Sequence, residues 1–188
     1  MKLSWLFVIS VLALQGAASA QRDTVPQSTA PHATVVHSRE IRASLERAKP
    51  GALSDAMLRV VPVESKYNIA VAVVRRSRIS GHPPTGAFVH DDVTEVYQII
   101  EGSGVLVTGG KLRSGKPVTG GKILSEIGPS SQGKGIVGGT RTSVGPGDIV
   151  VIPPHTPHGF VEISTKQIVY TIIRVDPKRV LTLDGDTH

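Results

Sequence analysis

The chain of 188 residues contains no cysteine. That excludes disulfides, thiolate metal sites and a cysteine-linked lipid anchor, so any metal ligands have to come from histidine and carboxylate side chains. Aromatic residues are also few, 4% of the chain, and the basic residues behind a formal net charge of +6 are scattered along it. A nucleic-acid surface needs a clustered positive face or a platform of stacking rings, and neither is present. The charge suits a small anionic ligand, or none in particular. The longest apolar stretch, Trp5 to Leu14, is too short to cross a bilayer. Strand–helix–strand alternation is missing too, which excludes a parallel α/β architecture.

What is present begins with an ordered N-terminus. One positive charge in Met1-Lys2-Leu3-Ser4, the short apolar stretch, and Ala18-Ser19-Ala20 before Gln21 are the three parts of a secretory signal peptide over residues 1–20. Cleavage is expected after Ala20, giving a secreted or periplasmic chain with no membrane association once the signal is removed. Residues 21–37, rich in Pro, Ser, Thr and Ala, read as a flexible lead-in. Residues 38–66 read as an N-terminal helical segment. Ile41, Leu45 and Ala48 recur at helical spacing behind a Ser38 cap, Pro50-Gly51 forms the stop, and Ala52 to Val61 have the ambiguous pattern of a further helical turn or two.

From residue 67 to 188 the texture changes to short β-branched runs broken by Gly and Pro, such as Ile69–Val74, Val96–Ile100, Val105–Val107, Ile149–Ile152 and Ile168–Ile173. Many short strands in one domain predict an all-β sandwich or barrel. The Gly- and Lys-rich stretch between Gly109 and Gly147 reads as hairpin loops. A phosphate loop would need a helix to follow its glycines, and the residues after them read as strand or turn.

Two segments carry the chemistry: Phe88 to Gly104, containing His90, Glu95 and Gly102, and Gly147 to Phe160, containing Pro153, His155 and His158. Their spacings resemble the two motifs of the cupin superfamily, G-x5-H-x-H-x(3,4)-E-x6-G and G-x5-P-x-G-x2-H-x3-N, over roughly Tyr67 to Val175. Glu95 and Gly102 keep the first spacing, and Gly147, Pro153 and His158 keep the second. Three positions depart: Phe88 stands where the first histidine is usual, His155 where a glycine is, and Glu162 where an asparagine is. The resemblance implies a single cupin-type β-barrel, or jelly roll, with a short N-terminal helix, and a metal set reduced to His90, Glu95 and His158.

Strand periodicity leads to the same residues. Glu95, Tyr97 and Ile99 share one face, so a strand that buries Ile99 also buries Glu95, and a buried carboxylate needs a partner. A divalent ion held with His90 and His158 would supply one, with Fe(II), Mn(II), Ni(II) or Zn(II) all suited to the donors. The alternative is a barrel that has lost its metal, with Phe88 filling the vacated space and the polar groups satisfying one another. Tyr97 is a candidate catalytic or substrate-orienting hydroxyl, or else a core aromatic. Gln98 should point outward. One of Arg75 and Arg76 should face the pocket, and Pro153, Pro154 and Pro157 should stiffen the turn that delivers His158. His82 is a substitute ligand on a loop, Asp92 belongs in a turn, and His155 is a candidate group at the pocket mouth.

The expected function is that of a metal-dependent enzyme of oxygenase, lyase or isomerase type acting on a small polar or anionic molecule outside the cytoplasm. The alternative is a non-catalytic barrel that captures a small ligand. A storage role fits less well, because storage cupins resemble two fused barrels and this chain has room for one. A homodimer covering open sheet edges is a further expectation.

Overall fold

The computed structural model describes residues 32–49, 51, 53–78 and 86–183. The signal-type segment, residues 21–31 of the lead-in and the loop carrying His82 lie outside the described residues. Helix α1 (Ser38–Arg47) precedes β1 (Ser54–Val63), β2 (Tyr67–Ser77), β3 (Ala87–His90), β4 (Thr94–Glu101), β5 (Gly104–Thr108), β6 (Lys111–Leu112) and β7 (Lys116–Pro117). Helix α2 (Gly121–Ile127) then leads to β8 (Ser130–Gly133), β9 (Ile136–Val137), β10 (Thr140–Val144), β11 (Ile149–Ile152), β12 (His158–Ile163) and β13 (Gln167–Asp176).

Two antiparallel sheets face each other, one ordered β1-β2-β13-β4-β11 and the other β10-β5-β12-β3-β8-β7, with β6 and β9 forming a small two-stranded sheet. The chain changes sheet at each step from β2 through β5, and again from β11 through β13. This is the expected all-β jelly roll. Its core lies between the sheets, where Ala72 and Val74 of β2, Tyr97 and Ile99 of β4, and Ile168, Tyr170 and Ile172 of β13 meet Leu106 and Phe160. Full burial of each large apolar side chain contributes about 1.5–3 kcal/mol. Gly102 shows why the first motif ends in glycine: it adopts φ +75°, and a Cβ there would lie 2.0 Å from the Gln167 carbonyl oxygen.

Three expectations are corrected. Residues Ala52 to Val61, read as helical turns, contain most of β1, so the barrel begins at Ser54 rather than at Tyr67. Pairing with β2 from Ser54↔Arg75 to Val63↔Tyr67 overrides the weak local pattern, and Glu64 and Ser65 close the hairpin in the left-handed region. Helix α1 starts from His37 rather than from a Ser38 cap, with the Glu40 carboxylate accepting from the His37 backbone N–H at 3.0 Å. Finally, a helix does follow Gly120 in the glycine-rich stretch. Ile123 and Ile127 sit one turn apart in it, and Gly128 closes it by donating to the Leu124 carbonyl at 2.8 Å.

Helix α1 is tied to the first hairpin from both ends. Glu40 pairs with Arg59 of β1, and Arg75 of β2 donates to the carbonyls of Leu45 (3.0 Å), Ala48 (2.7 Å) and Lys49 (3.0 Å). Arg75 therefore faces outward to the helix. Arg76, next in sequence, falls on the inward row that begins with Ala72 and Val74.

Candidate metal centre

His90 at the end of β3, Glu95 in β4 and His158 at the start of β12 converge inside the barrel, each no more than 4% exposed. The His90 Nε2 lies 3.4 Å and the His158 Nε2 3.2 Å from the same carboxylate oxygen, Glu95 Oε2. The other ring nitrogens fix what those Nε2 atoms are. His158 Nδ1 is 3.0 Å from the Thr156 carbonyl, which can only accept, so Nδ1 carries the hydrogen. His90 Nδ1 is 2.7 Å from Ser130 Oγ, whose own hydrogen goes to the Gly128 carbonyl at 2.8 Å, so Nδ1 of His90 is also the donor. In neutral imidazoles both Nε2 atoms then present lone pairs toward a carboxylate oxygen.

Three acceptors pointed at one another repel unless something positive lies between them. Atoms bound about 2.0–2.2 Å from one ion, at angles from octahedral to tetrahedral, stand roughly 2.9–3.5 Å apart. The two Nε2–Oε2 separations fall in that interval, and the three ligand atoms all lie within 4.8 Å of one another. The donor set of two imidazoles and one carboxylate fits a divalent first-row ion.

Glu95 is held from behind by groups the motif does not contain. Arg174 of β13, opposite Glu95 in register, donates Nε to Glu95 Oε1 at 2.9 Å and its NH2 nitrogen to Asp55 Oδ2 at 2.6 Å. Its NH1 nitrogen donates to the Glu126 carbonyl at 3.1 Å. Tyr97 donates its hydroxyl to Glu95 Oε2 at 2.8 Å. Burial alone would raise the Glu95 carboxyl, but the Arg174 charge, followed by the contacts with His158 and His90, outweighs it and holds the group well below the usual carboxylate range. Burial and the Glu95 charge push the Tyr97 hydroxyl well above 10. Tyr97 thus stays protonated, and its hydroxyl orients Glu95 rather than standing free in the cavity.

Sequence reasoning missed Arg174, although the signal was there. Ile168, Tyr170, Ile172 and Arg174 form one alternating buried row, and the logic that placed Glu95 inside places Arg174 there too.

A cavity of about 100 Å³ opens beside these residues, between β1, β2, β4, β13 and helix α2. Phe88 lines it, two residues before His90, with its ring stacked on the imidazole at a centroid distance of 6.4 Å. It therefore occupies the wall where a fourth ligand would project. Tyr97 and Tyr170 pack at 4.7 Å, Phe160 and Tyr170 at 5.6 Å, so the chain's scarce aromatics are concentrated here. Of the two adjacent arginines, Arg76 lines the cavity.

The other candidates fall elsewhere. His155 is exposed and absent from the cavity wall, a correction to its reading as a pocket-mouth group. Its backbone takes φ +60°, the conformation glycine usually supplies, and its N–H donates to the His90 carbonyl at 2.8 Å. Asp92 sits in a bend, Gln98 points outward, and Glu162 is exposed. His82 lies outside the described residues.

Residues 128–187 match the family model of the AraC-like ligand-binding domain. No curated protein matches the sequence. Among solved structures the chain is similar to a conserved protein with a double-stranded β-helix domain from Klebsiella pneumoniae, at 14% identity and TM-score 0.47, over 78% of this chain and 91% of that one. It is also similar to KdgF from Halomonas sp. (17%, TM-score 0.41, 70% and 85%) and to a putative sugar phosphate isomerase from Acidithiobacillus ferrooxidans (15%, TM-score 0.41, 75% and 74%).

Proposed function

We propose that this chain, which belongs to the cupin superfamily by its two-sheet barrel and its paired motif segments, holds a divalent metal ion between His90, Glu95 and His158. The reading extends to a small polar molecule, bound and transformed in the adjacent cavity. One observation carries it: both imidazoles are held at Nδ1, by Ser130 Oγ and the Thr156 carbonyl, with their Nε2 atoms 3.4 and 3.2 Å from one carboxylate oxygen, Glu95 Oε2.

A bound divalent ion would supply Lewis acidity, or a site for activating oxygen or water. The chain's own residues do the rest. Ser130 and the Thr156 carbonyl fix the two imidazole planes, and Arg174 and Tyr97 fix the carboxylate, so the ligand atoms need no rearrangement to bind. Phe88, Ile123 and Ile127 line the cavity with apolar surface and limit water at the site.

A second reading, capture of a small ligand without turnover, is favoured by two observations. The match to a ligand-binding domain is one. The other is that Glu95 is already neutralised by Arg174, so a single proton shared with the imidazoles would satisfy the site without an ion. The signal-type residues 1–20 support action outside the cytoplasm, which N-terminal sequencing of exported protein would check.

The test is metal analysis of protein purified without a histidine tag and equilibrated with Fe(II), Mn(II), Ni(II) or Zn(II). About one ion per chain is expected, and it should be lost in His90→Ala and Glu95→Gln. Wild type without stoichiometric metal under all four conditions rejects the metal reading. With metal in place, oxygen uptake or lyase or isomerase turnover on small acids and sugars separates the enzyme from the binder.

A further inference from the structure

Among the described residues, Arg76 is the one cavity-lining arginine not consumed by the network around Glu95. Its Nε donates to the Tyr170 hydroxyl at 2.8 Å, and its guanidinium lies 6.0 Å from the centroid of the Phe160 ring. These two contacts fix the plane of the guanidinium. Among the described residues the two terminal nitrogens have no hydrogen-bond partner, and they are not among the polar atoms shut away from contact. A guanidinium oriented through Nε, with its terminal nitrogens free in a cavity wall, is arranged as a receptor for a planar anion.

Among the described residues, the other charged side chains lining the cavity are Arg174, Asp55, Glu95 and Glu126. Arg174 is balanced by Glu95 and Asp55, which face it at 2.9 and 2.6 Å. Neither carboxylate is within ion-pair distance of Arg76. Tyr170, the hydroxyl that accepts from Arg76, is pushed above its ordinary range by burial and remains uncharged. Size narrows the class further. A dry cavity of about 150 Å³ holds the six carbons of benzene, so about 100 Å³ suits a molecule of roughly four to five non-hydrogen atoms.

We infer that the cavity selects a small carboxylic acid, of about two carbons, whose carboxylate is gripped by the terminal nitrogens of Arg76 while its other end reaches toward His90, Glu95 and His158. This deepens the reading proposed above and rests on it for what happens at the far end. The grip itself depends on Arg76, Tyr170 and Phe160, which are not ligands of the proposed ion.

The experiment compares acids with their neutral amides. Acetate, glycolate and glyoxylate are titrated calorimetrically against acetamide, glycolamide and glyoxylamide, using wild type, Arg76→Met and Arg76→Lys, with metal content measured on every sample. Wild type should bind at least one acid tenfold or more tightly than its amide. Arg76→Met should abolish that preference while leaving metal content and amide binding unchanged, and Arg76→Lys, which keeps the charge without the fork, should retain only part of it. Equal affinity for acids and amides, no acid binding up to 10 mM, or an undiminished preference in Arg76→Met overturns the inference. If Arg76→Met does not fold, the wild-type ratio and Arg76→Lys decide. A metal-free wild type that still prefers acids through Arg76 refutes the metal reading and leaves this one standing. A metal-bearing wild type without the preference does the reverse.

Discussion

Replacing Arg174 with methionine tests how the interior charges are balanced. Arg174 is 1% exposed and Glu95 2%, and their 2.9 Å contact corresponds to an attraction of about 6 kcal/mol at an effective dielectric near 20. Desolvating the two ions offsets most of this, so the net value of the pair is small while its disruption is not. Removing one partner of a buried pair leaves the other uncompensated and costs about 3–5 kcal/mol. Asp55, at 29% side-chain exposure and 2.6 Å from the guanidinium, loses the same counter-charge and adds to the cost. For a domain of this size the loss corresponds to a fall of roughly 6–20 °C in Tm.

The pH dependence also changes sign. In wild type the folded-state carboxyl of Glu95 sits well below 4.5, so its contribution is complete above that pH and is lost as pH falls below it. Without Arg174, burial dominates and raises the carboxyl, so the variant loses stability as pH rises above the usual carboxylate range. The measurement is thermal and urea denaturation in the presence of a chelator, for Arg174→Met, Glu95→Gln and the double variant. The double variant should be more stable than the sum of the single losses predicts, by at least about 1 kcal/mol. Additive losses, or a cost for Arg174→Met below about 1 kcal/mol at neutral pH, would refute the account.

Two further outcomes are expected. Phe88 shares a face of β3 with His90 and lines the same cavity, so Phe88→His should supply a fourth ligand and tighten metal binding tenfold or more, read by competition with a chromophoric chelator. His155 is held at φ +60° with its side chain exposed, so His155→Gly should stabilise the fold by about 0.5–1 kcal/mol in urea denaturation and leave metal content unchanged.

Period-two alternation made the barrel and Glu95 legible, because one face of each strand had to be apolar and a charge on that face announced itself. The fixed spacings around Glu95 and His158 added the imidazoles. Arg174 was equally legible by alternation but sits at the end of a strand, outside either motif, where nothing in the sequence says which charge it meets. β1 was lost because its hydrophobic pattern is ambiguous alone and resolves only against β2. Helix α2 was hidden by glycines, which mark turns as readily as helix ends. The orientation of Arg76 rather than Arg75 depends on the register of β2, which a run of valines and alanines does not announce.

The repeated crossing of the chain between the sheets carries a kinetic consequence. Arg174 meets Glu95 across 79 residues of sequence and Asp55 across 119. Neither contact exists until loops of that length have closed, late in the assembly of a topology dominated by distant pairings. A half-built barrel would hold Glu95 without its counter-charge and the imidazoles without their anchors, and would bind an ion poorly. Acquisition of the proposed ion should therefore trail folding, and that ion would be drawn from whichever compartment the barrel closes in.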